Sequence, residues 1–439
     1  MSEESTVPLF AASEVTLAAP ARQEAPVKTA PRLRCANRSQ LLLRPVDLDA
    51  TIPADHQARA IWRFVEQLDL SRFLEPIEAR EGEPGRDATD PRILVTLWLY
   101  ATTQAVGSAR ELARLCESHD AYRWICGGVS VNYHLLSDFR VGHGQALDAM
   151  LTQVLAVMMK QGLVTLDRMA QDGTRVRASA GAASFRREPR LEEFLAAAKE
   201  QVEHVKKLSD DPTVTAREAA ARQRSARERE ERIQKALEEL PAARAAKKKD
   251  EQAEARVSTT DPEARVMKMG DGGFRPAFNF QFAATTKEKV IVGVGVTNVG
   301  SDKSQMTPML EQVEERTGHR PKEHLVDSGF VNLDAIEEAE KKGTTVYAPP
   351  AAKKKGEEPS YEPKPDDSPE VAAWRQRMGT PEAKKLYTRE RGATAELVNA
   401  DLKENRGLKL RVRGIKKVLI IGLWHALAYN LMRWAALTS

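Results

Sequence analysis

Three acidic residues stand where a folded sheet could gather them: Asp172 within an extended run, Asp327 at the end of a short apolar one, and Glu396 on a late helical stretch. Taken singly, each has an ordinary explanation. Asp172 precedes Gly173, and Asp-Gly commonly marks a turn. Asp327, in Val326-Asp327-Ser328-Gly329, has the form of a loop cap, and Glu396 reads as one more exposed helix charge. Taken together, they offer oxygen ligands with no histidine or thiolate among them, the donor set that Mg²⁺ prefers. The chemistry such a set serves is phosphoryl transfer. Two Mg²⁺ ions about 3.5 to 4 Å apart activate a water or 3′-hydroxyl on one side of a phosphate and stabilise the leaving oxygen on the other. Clustered carboxylates also repel a polyanion, so nearby cations must hold the phosphates. Arg175 and Arg177 lie near the first acid, and Arg389, Arg391 and Lys403 around the last.

The elements that would position these acids follow from hydrophobic period. The run 163–178 reads as a strand with Ala170, Asp172, Thr174 and Val176 on one face. Phe278, Phe280 and Phe282 alternate with Asn279 and Gln281, and Val290, Val292, Val294 and Val296 alternate with Ile291, Gly293 and Gly295. With Thr286-Lys287-Glu288 between them, the two runs predict an antiparallel hairpin. A helix over 302–316, a short strand over 324–327, a helix over 333–342 and a strand over 344–347 complete a mixed α/β sheet domain. A helical insertion at 189–256 interrupts it, with Leu191, Phe194, Leu195, Ile233, Leu237 and Leu240 at helical intervals and a break at Asp211-Pro212. Glu residues mixed among its Arg and Lys favour a salt-bridged, solvated helix pair over a DNA-backbone contact. A charged loop is expected at 351–370.

Ahead of the sheet, 48–159 is helical throughout. Ala58, Ile61, Phe64 and Val65 recur at helix spacing, as do Ile93, Leu94, Leu97, Leu99 and Tyr100 after the Asp90-Pro91 start signal; further helices are expected at 108–116, 120–125 and 133–159. This predicts an all-α domain at 41–160, for DNA binding or assembly, with no clean helix-turn-helix. Residues 1–40 are expected to form a flexible arm, since Met1 to Arg34 is rich in Ala, Pro, Glu and Ser and does not read as a signal peptide.

The 439-residue chain has 41% hydrophobic residues, enough for a full-sized core. Its 67 basic and 63 acidic residues nearly cancel, so the net charge of +4 does not mark a nucleic-acid binder. The segment 401–439 does, with Lys403, Arg406, Lys409, Arg411, Arg413, Lys416, Lys417 and Arg433 against only Asp401 and Glu404. Cys35, Cys116 and Cys126 form no CxxC pair, which disfavours zinc and disulfides and fits a reducing cytoplasm. The apolar segment 418–432 is interrupted by Gly422, His425 and Asn430 and falls short of a membrane span. Leu419, Leu423, Trp424, Leu427, Leu431 and Trp434 form a core stripe there, with His425 and Asn430 as polar core residues.

The order strand acid, hairpin, helix, strand acid, insertion, helix acid is that of an RNase H-like core. The runs Gln171-Asp172-Gly173-Thr174, Asp261-Pro262-Glu263-Ala264-Arg265, Phe278-Asn279-Phe280-Gln281, Val326-Asp327-Ser328-Gly329-Phe330 and Glu390-Arg391-Gly392-Ala393-Thr394-Ala395-Glu396 resemble those of bacterial insertion-sequence DDE transposases with an all-α N-terminal domain. The resemblance covers about 41–433. It implies that Asp172, Asp327 and Glu396 bind the metal, expected to be Mg²⁺ with Mn²⁺ able to substitute, and it makes Arg391 and Lys403 DNA-end contacts; Arg175 and Arg177 are expected to join them at the DNA from their place beside the first acid. Related transposases follow the pattern Tyr, two residues, Arg, three residues, Glu, six residues, Lys. Glu396 to Lys403 keeps the last interval, whereas Tyr387 and Arg391 each precede the next member by one residue more than the pattern.

The expected fold class is therefore α plus α/β, an all-α N-terminal domain followed by an RNase H-like mixed-sheet catalytic domain over 161–439 with its charged helical insertion. The expected activity is cleavage and joining of double-stranded DNA, at element ends and target, by a dimer or larger assembly on DNA. Two alternatives share the same residues: a nuclease without strand transfer, and an inactive domesticated DNA-binding protein.

Overall fold

The computed structural model describes residues 45–79, 87–208, 215–350 and 360–438; the arm at 1–40, Cys35, the Asp211-Pro212 break and the first part of the charged loop lie outside them. Helix start signals are used as the sequence presents them. α1 (Gln57–Glu66) and the single-turn α2 (Ser71–Leu74) come first. α3 (Pro91–Thr103) starts with Pro91 in its first turn and the Asp90 carboxylate accepting from Arg92 N. α4 (Ala109–Ser118) is capped by Ser108, and α5 (Asp120–Cys126) ends on Gly127 in the left-handed region. The single helix expected over 133–159 is two, α6 (Tyr133–Gly142) and α7 (Gly144–Lys160). His143 between them leaves helical geometry, and its glycine neighbours make that turn inexpensive.

The sheet is built on β1 (Arg168–Arg177). After it come the two-residue β2 (Phe185–Arg186), then α8 (Glu188–Leu208), α9 (Ala216–Glu238) and α10 (Leu240–Ala245), and then β3 (Val257–Ser258), which pairs with β2. β4 (Arg265–Lys268), β5 (Phe274–Thr285), β6 (Ile291–Thr297), α11 (Met306–Thr317), β7 (Glu323–Leu325), α12 (Leu333–Lys341) and β8 (Thr345–Tyr347) complete it. β1 pairs antiparallel with β5, which pairs antiparallel with β6 and β4 on its other edge. On its opposite side β1 pairs parallel with β7, and β7 parallel with β8. The resulting order, β6-β5-β1-β7-β8 with three antiparallel strands and two parallel to β1, is the RNase H-like arrangement. The insertion is a helix pair with its own small core of Leu191, Ala236, Leu240, Ala243, Ala255 and Val257. Ion pairs such as Arg244–Glu188 and Arg190–Glu193 lace its surface.

Four helical segments follow: α13 (Pro369–Gly379), α14 (Pro381–Arg391), α15 (Leu397–Ala400) and α16 (Ile415–Thr438). α16 is buried continuously from Ile420 to Leu431, more than the one-sided stripe expected. It lies between the sheet and the helical layer, so every face meets protein. At Gly422 the helix comes close to the sheet: a Cβ there would fall 2.9 Å from the ring of the buried Phe280 and 3.1 Å from Val294. Trp424 Nε1 donates to Arg140 O of α6 at 3.0 Å. One hydrophobic core thus runs from α1 through α16 to the sheet, and 47–439 forms a single compact unit. No helix among the described residues is long and apolar enough to cross a membrane.

Two polar devices fix α16. Asn430 Oδ1 accepts from Ile291 N at 2.8 Å and its Nδ2 donates to Ile291 O at 2.7 Å, so one side chain pairs β6 as a further strand would. At the other end, Gly414 N donates to Asp261 Oδ1 at 3.2 Å and Ile415 N to Glu263 Oε2 at 3.1 Å, so this pair caps the helix.

Asn430→Ala leaves both backbone groups of Ile291 buried and unpaired. It should cost about 2 to 3 kcal/mol in urea denaturation at an unchanged slope; an unshifted midpoint would remove Asn430 from this role. Asp261 tests the other end. Burial, with Glu263 adding to it, pushes its carboxyl up to about 6, and its Oδ2 has no partner. Because the folded pKa lies above the unfolded one, the contribution is fully present below about pH 4 and is lost as pH rises through about 6. Asp261→Asn should match the wild type near pH 4 and exceed it at pH 8 by up to about 3 kcal/mol, the gap opening between those limits.

Candidate active site

Asp172 lies in the middle of β1, paired in register with Phe282, so Asp172-Gly173 is strand here and not turn. Gly173 is required by crowding. A Cβ at that position would fall 2.2 Å from Asp302 Oδ1 and 2.7 Å from Gln281 Nε2. Behind the strand, Asp302 accepts from Asn279 at 2.7 Å and Gln281 at 2.6 Å. The helix expected from 302 starts at Met306 instead, leaving Asp302 in the preceding loop to receive these amides.

Asp327 follows β7, the parallel neighbour of β1 in which Leu325 stands opposite Ala170. Its Oδ1 accepts from Gly329 N at 2.8 Å and caps a short 3₁₀ turn, so the loop-cap reading holds, while Oδ2 lies 3.6 Å from Arg391 Nη2. Glu396 arrives on a helix with an irregularity. α14 continues into a π turn, Gly392–Glu396, then α15, then a second π turn, Asp401–Asn405. A π turn accommodates one residue more than an α turn, and such bulges recur at functional sites. The extra residue between Arg391 and Glu396 is taken up here, and Arg391 Nη1 meets Glu396 Oε1 at 3.2 Å.

Arg391 Nη2 also donates to Asp172 Oδ1 at 2.8 Å. One guanidinium therefore reaches all three acids. Its side chain is 14% exposed, against 18% for Asp172, 39% for Asp327 and 68% for Glu396, so the cluster opens from a buried floor to a solvent-facing rim. Asn399 donates to Asp172 Oδ2 at 3.0 Å. The helix is seated by Ala395, which packs against Ala170 and Leu325, and by Arg168, which pairs with Glu323 of β7 and, at 2.6 Å, with Glu390 of α14. Lys289 Nζ donates to Thr394 Oγ1 at 2.7 Å.

The electrostatics follow from this packing. Burial raises the Asp172 carboxyl above its usual value, and Asp327 and Asp302 add to the rise, against the pull of Arg391 and Asn399. Tyr387 is pushed up to about 12, first by burial, and feels Arg391 and all three acids, which places its phenol beside the cluster despite the spacing departure. Desolvation lowers Lys403, and the charges of Asp172 and Glu404 oppose that. Arg175 is engaged by protein, donating to Gly300 O at 2.7 Å and Lys268 O at 3.3 Å, whereas Arg177 is exposed at the end of β1. Arg389 pairs with its neighbour Glu390. Asp302 and Asn399 are absent from the sequence reading. Asn399 stands one turn after Glu396, which is a usable signal; Asp302 is recognisable only through its contacts.

The donor set is all oxygen and suits a hard divalent cation. Among the described residues, no three acidic, histidine or cysteine side chains enclose a metal position; the three acids surround the Arg391 guanidinium, a cation in the place where positive charge is needed. Arg391→Met would leave the three acids facing one another. Without metal it should lose about 1 to 2 kcal/mol, less than a fully buried pair because two of the acids reach solvent. Adding a divalent cation should raise its melting temperature more than that of the wild type. Equal melting temperatures in EDTA would show that Arg391 does not neutralise the cluster.

Comparison with known proteins adds two matches. A transposase domain of the DUF772 family matches residues 46–141, the helical layer through most of α6. A transposase DDE domain matches residues 243–431, which contain Asp327, Arg391 and Glu396. Asp172 lies between the two matches, joined to the other acids by the geometry of β1. No curated protein and no solved structure matches the chain. With both transposase domains present in order along one continuous core, the chain belongs to the insertion-sequence DDE transposases.

Proposed function

We propose that this transposase binds the ends of its element, cleaves DNA strands there and joins them to a target, using Asp172, Asp327 and Glu396 as ligands for Mg²⁺, with Mn²⁺ able to substitute. The single observation that carries the reading is the convergence of these acids, from two adjacent parallel strands and one helix, on the Arg391 guanidinium. Divalent metal, on which the family depends, supplies activation of the attacking oxygen and neutralisation of the leaving one.

The chain's own residues do the positioning. Asn399 fixes one oxygen of Asp172 and leaves the other facing the cluster. Lys403 and Arg391 stand on the side from which a phosphate approaches, and each neutralises part of its charge. Arg177 is free to contact the backbone beyond β1, while Arg175, held by two carbonyls, acts at most through its remaining surface. The helical layer serves end binding or assembly. Joining requires two DNA ends at once, so a dimer or larger complex forms on DNA, in the cytoplasm.

The test is cleavage of a duplex carrying the sequences that flank the gene, in Mg²⁺, by wild type and by Asp172→Ala, Asp327→Ala and Glu396→Ala. Each variant should still shift the duplex in a gel while losing cleavage by on the order of 10²-fold or more, the scale on which removing one charge-stabilising group lowers turnover. Joined strands from the wild type support transposition; nicks alone would make it a nuclease, and binding with no cleavage a DNA-binding descendant. Normal cutting by the alanine variants would overturn the metal site.

A further inference from the structure

Between the helix that carries Glu396 and the start of α16, residues 406–414 have no regular secondary structure. Their side chains nonetheless alternate. Leu408, Leu410 and Val412 are buried, and Lys409, Arg411 and Arg413 between them are exposed. A two-residue period puts three cations on one side of the segment, as it does along a strand. The segment is held at both ends: Leu408 N donates to Leu402 O at 2.9 Å, and Gly414 N to Asp261 at 3.2 Å. Gly407 and Gly414 make the turns in and out at φ of 59° and 85°, a region glycine enters without strain.

Among the described residues, no carboxylate stands within ion-pair distance of the charges on this comb. Arg168, Arg265 and Arg406 each pair with a carboxylate nearby, whereas Lys409, Arg411 and Arg413 form no ion pair within 4.0 Å among the described residues; nor do Lys416 and Lys417, exposed on the first turn of α16. Arg413 is within the field of Asp261. Arg411 is placed against another cation. Its Nε lies 3.9 Å from where a Gly107 Cβ would stand, and Arg140 donates to Gly107 O at 2.6 Å. Burial, with Arg411 adding to it, lowers Arg140 to about 10. Two guanidiniums held near each other repel, and a phosphate on the exposed Arg411 offsets that repulsion.

We propose that Lys409, Arg411 and Arg413 form a phosphate rail, a fixed comb that holds the backbone of duplex DNA leading away from the Asp172–Asp327–Glu396 cluster, with Lys416 and Lys417 extending it. The inference rests on the transposase reading and adds where the duplex lies. Lys403, on the same stretch of chain and within the field of Asp172, connects rail to cluster. Pre-fixed spacing suits a regular polyanion, since a rail pinned at both ends orders little on binding.

The test is the salt dependence of duplex binding in EDTA, where cleavage does not intervene. Each phosphate neutralised contributes about −0.9 to the slope of log K against log salt. The triple variant Lys409→Gln, Arg411→Gln, Arg413→Gln should reduce the magnitude of that slope by about 2 to 3 and weaken binding roughly 10²-fold at 0.1 M salt, at an unchanged melting temperature. Arg411→Lys with Arg413→Lys keeps the charges and should keep the slope, which separates charge from shape. If the wild type binds and the triple variant has the same slope, the rail is wrong and the transposase reading stands; if the wild type does not bind duplex, both fall.

Discussion

Three carboxylates cannot share one site without positive charge among them, and that constraint organises the rest of the molecule. At close range, like charges at the boundary of a protein repel by about as much as an opposite charge attracts, on the order of 4 kcal/mol at 4 Å for an effective dielectric of 20. Arg391 meets the constraint by reaching Asp172, Asp327 and Glu396 with one side chain. It does so only if two strands and one helix stay in register. β1 and β7 must be parallel neighbours, which requires the crossover through the hairpin and α11, and the helix must sit close to the sheet. Small residues supply the closeness: Ala170 below and Ala395 above allow the helix backbone to approach.

The two faces of the sheet divide the work. Phe278, Phe280 and Phe282 fill the face that meets α16 and the helical layer, while Asn279 and Gln281 point the other way and hold Asp302 behind the site. The alternation that makes β5 a strand thus also places an acid behind Asp172. The charged form of Asp172 is disfavoured by burial and by these neighbours, so the site stores unfavourable electrostatics that a cation relieves. The core carries that cost. α16, buried on all sides, joins the helical layer to the sheet, and Asn430 and the Asp261–Glu263 pair keep it from sliding.

Much of this was legible in the sequence because it depends on local period. The Phe-Asn-Phe-Gln-Phe alternation, the Asp90-Pro91 start and the spacing of apolar residues in the insertion each report burial directly, and the strands and helices appear close to their expected places. What escaped depends on tertiary contact. The sequence could not show that one helix would be split into two beside Gly142 and Gly144, since each is tolerated within a helix and the break falls at His143 between them. Nor could it show Asp302, whose partners lie more than twenty residues away in the chain, or that α16 would be enclosed on every side. Arg175 illustrates the converse: beside Asp172 in sequence, it is turned by strand alternation toward the carbonyls of Gly300 and Lys268.

The spacing around Glu396 shows why a motif counted in residues is a surrogate for geometry. Tyr387, Arg391 and Glu396 each stand one residue further apart than the family pattern, which on an ideal helix would rotate Arg391 away from Glu396 by about 100°. The π turn at Gly392–Glu396 removes that rotation by widening one turn, so Arg391 and Glu396 face the same way at a separation of five. Tyr387 and Arg391, four apart on regular helix, share a face without help, so the longer first gap needs no such correction. Of the two departures from the pattern, then, one is neutral and the other is absorbed by a change in helix type at the residue that bears the carboxylate. What the π turn secures is the position of charge relative to Asp172, which depends on helix geometry and not on the count of residues alone.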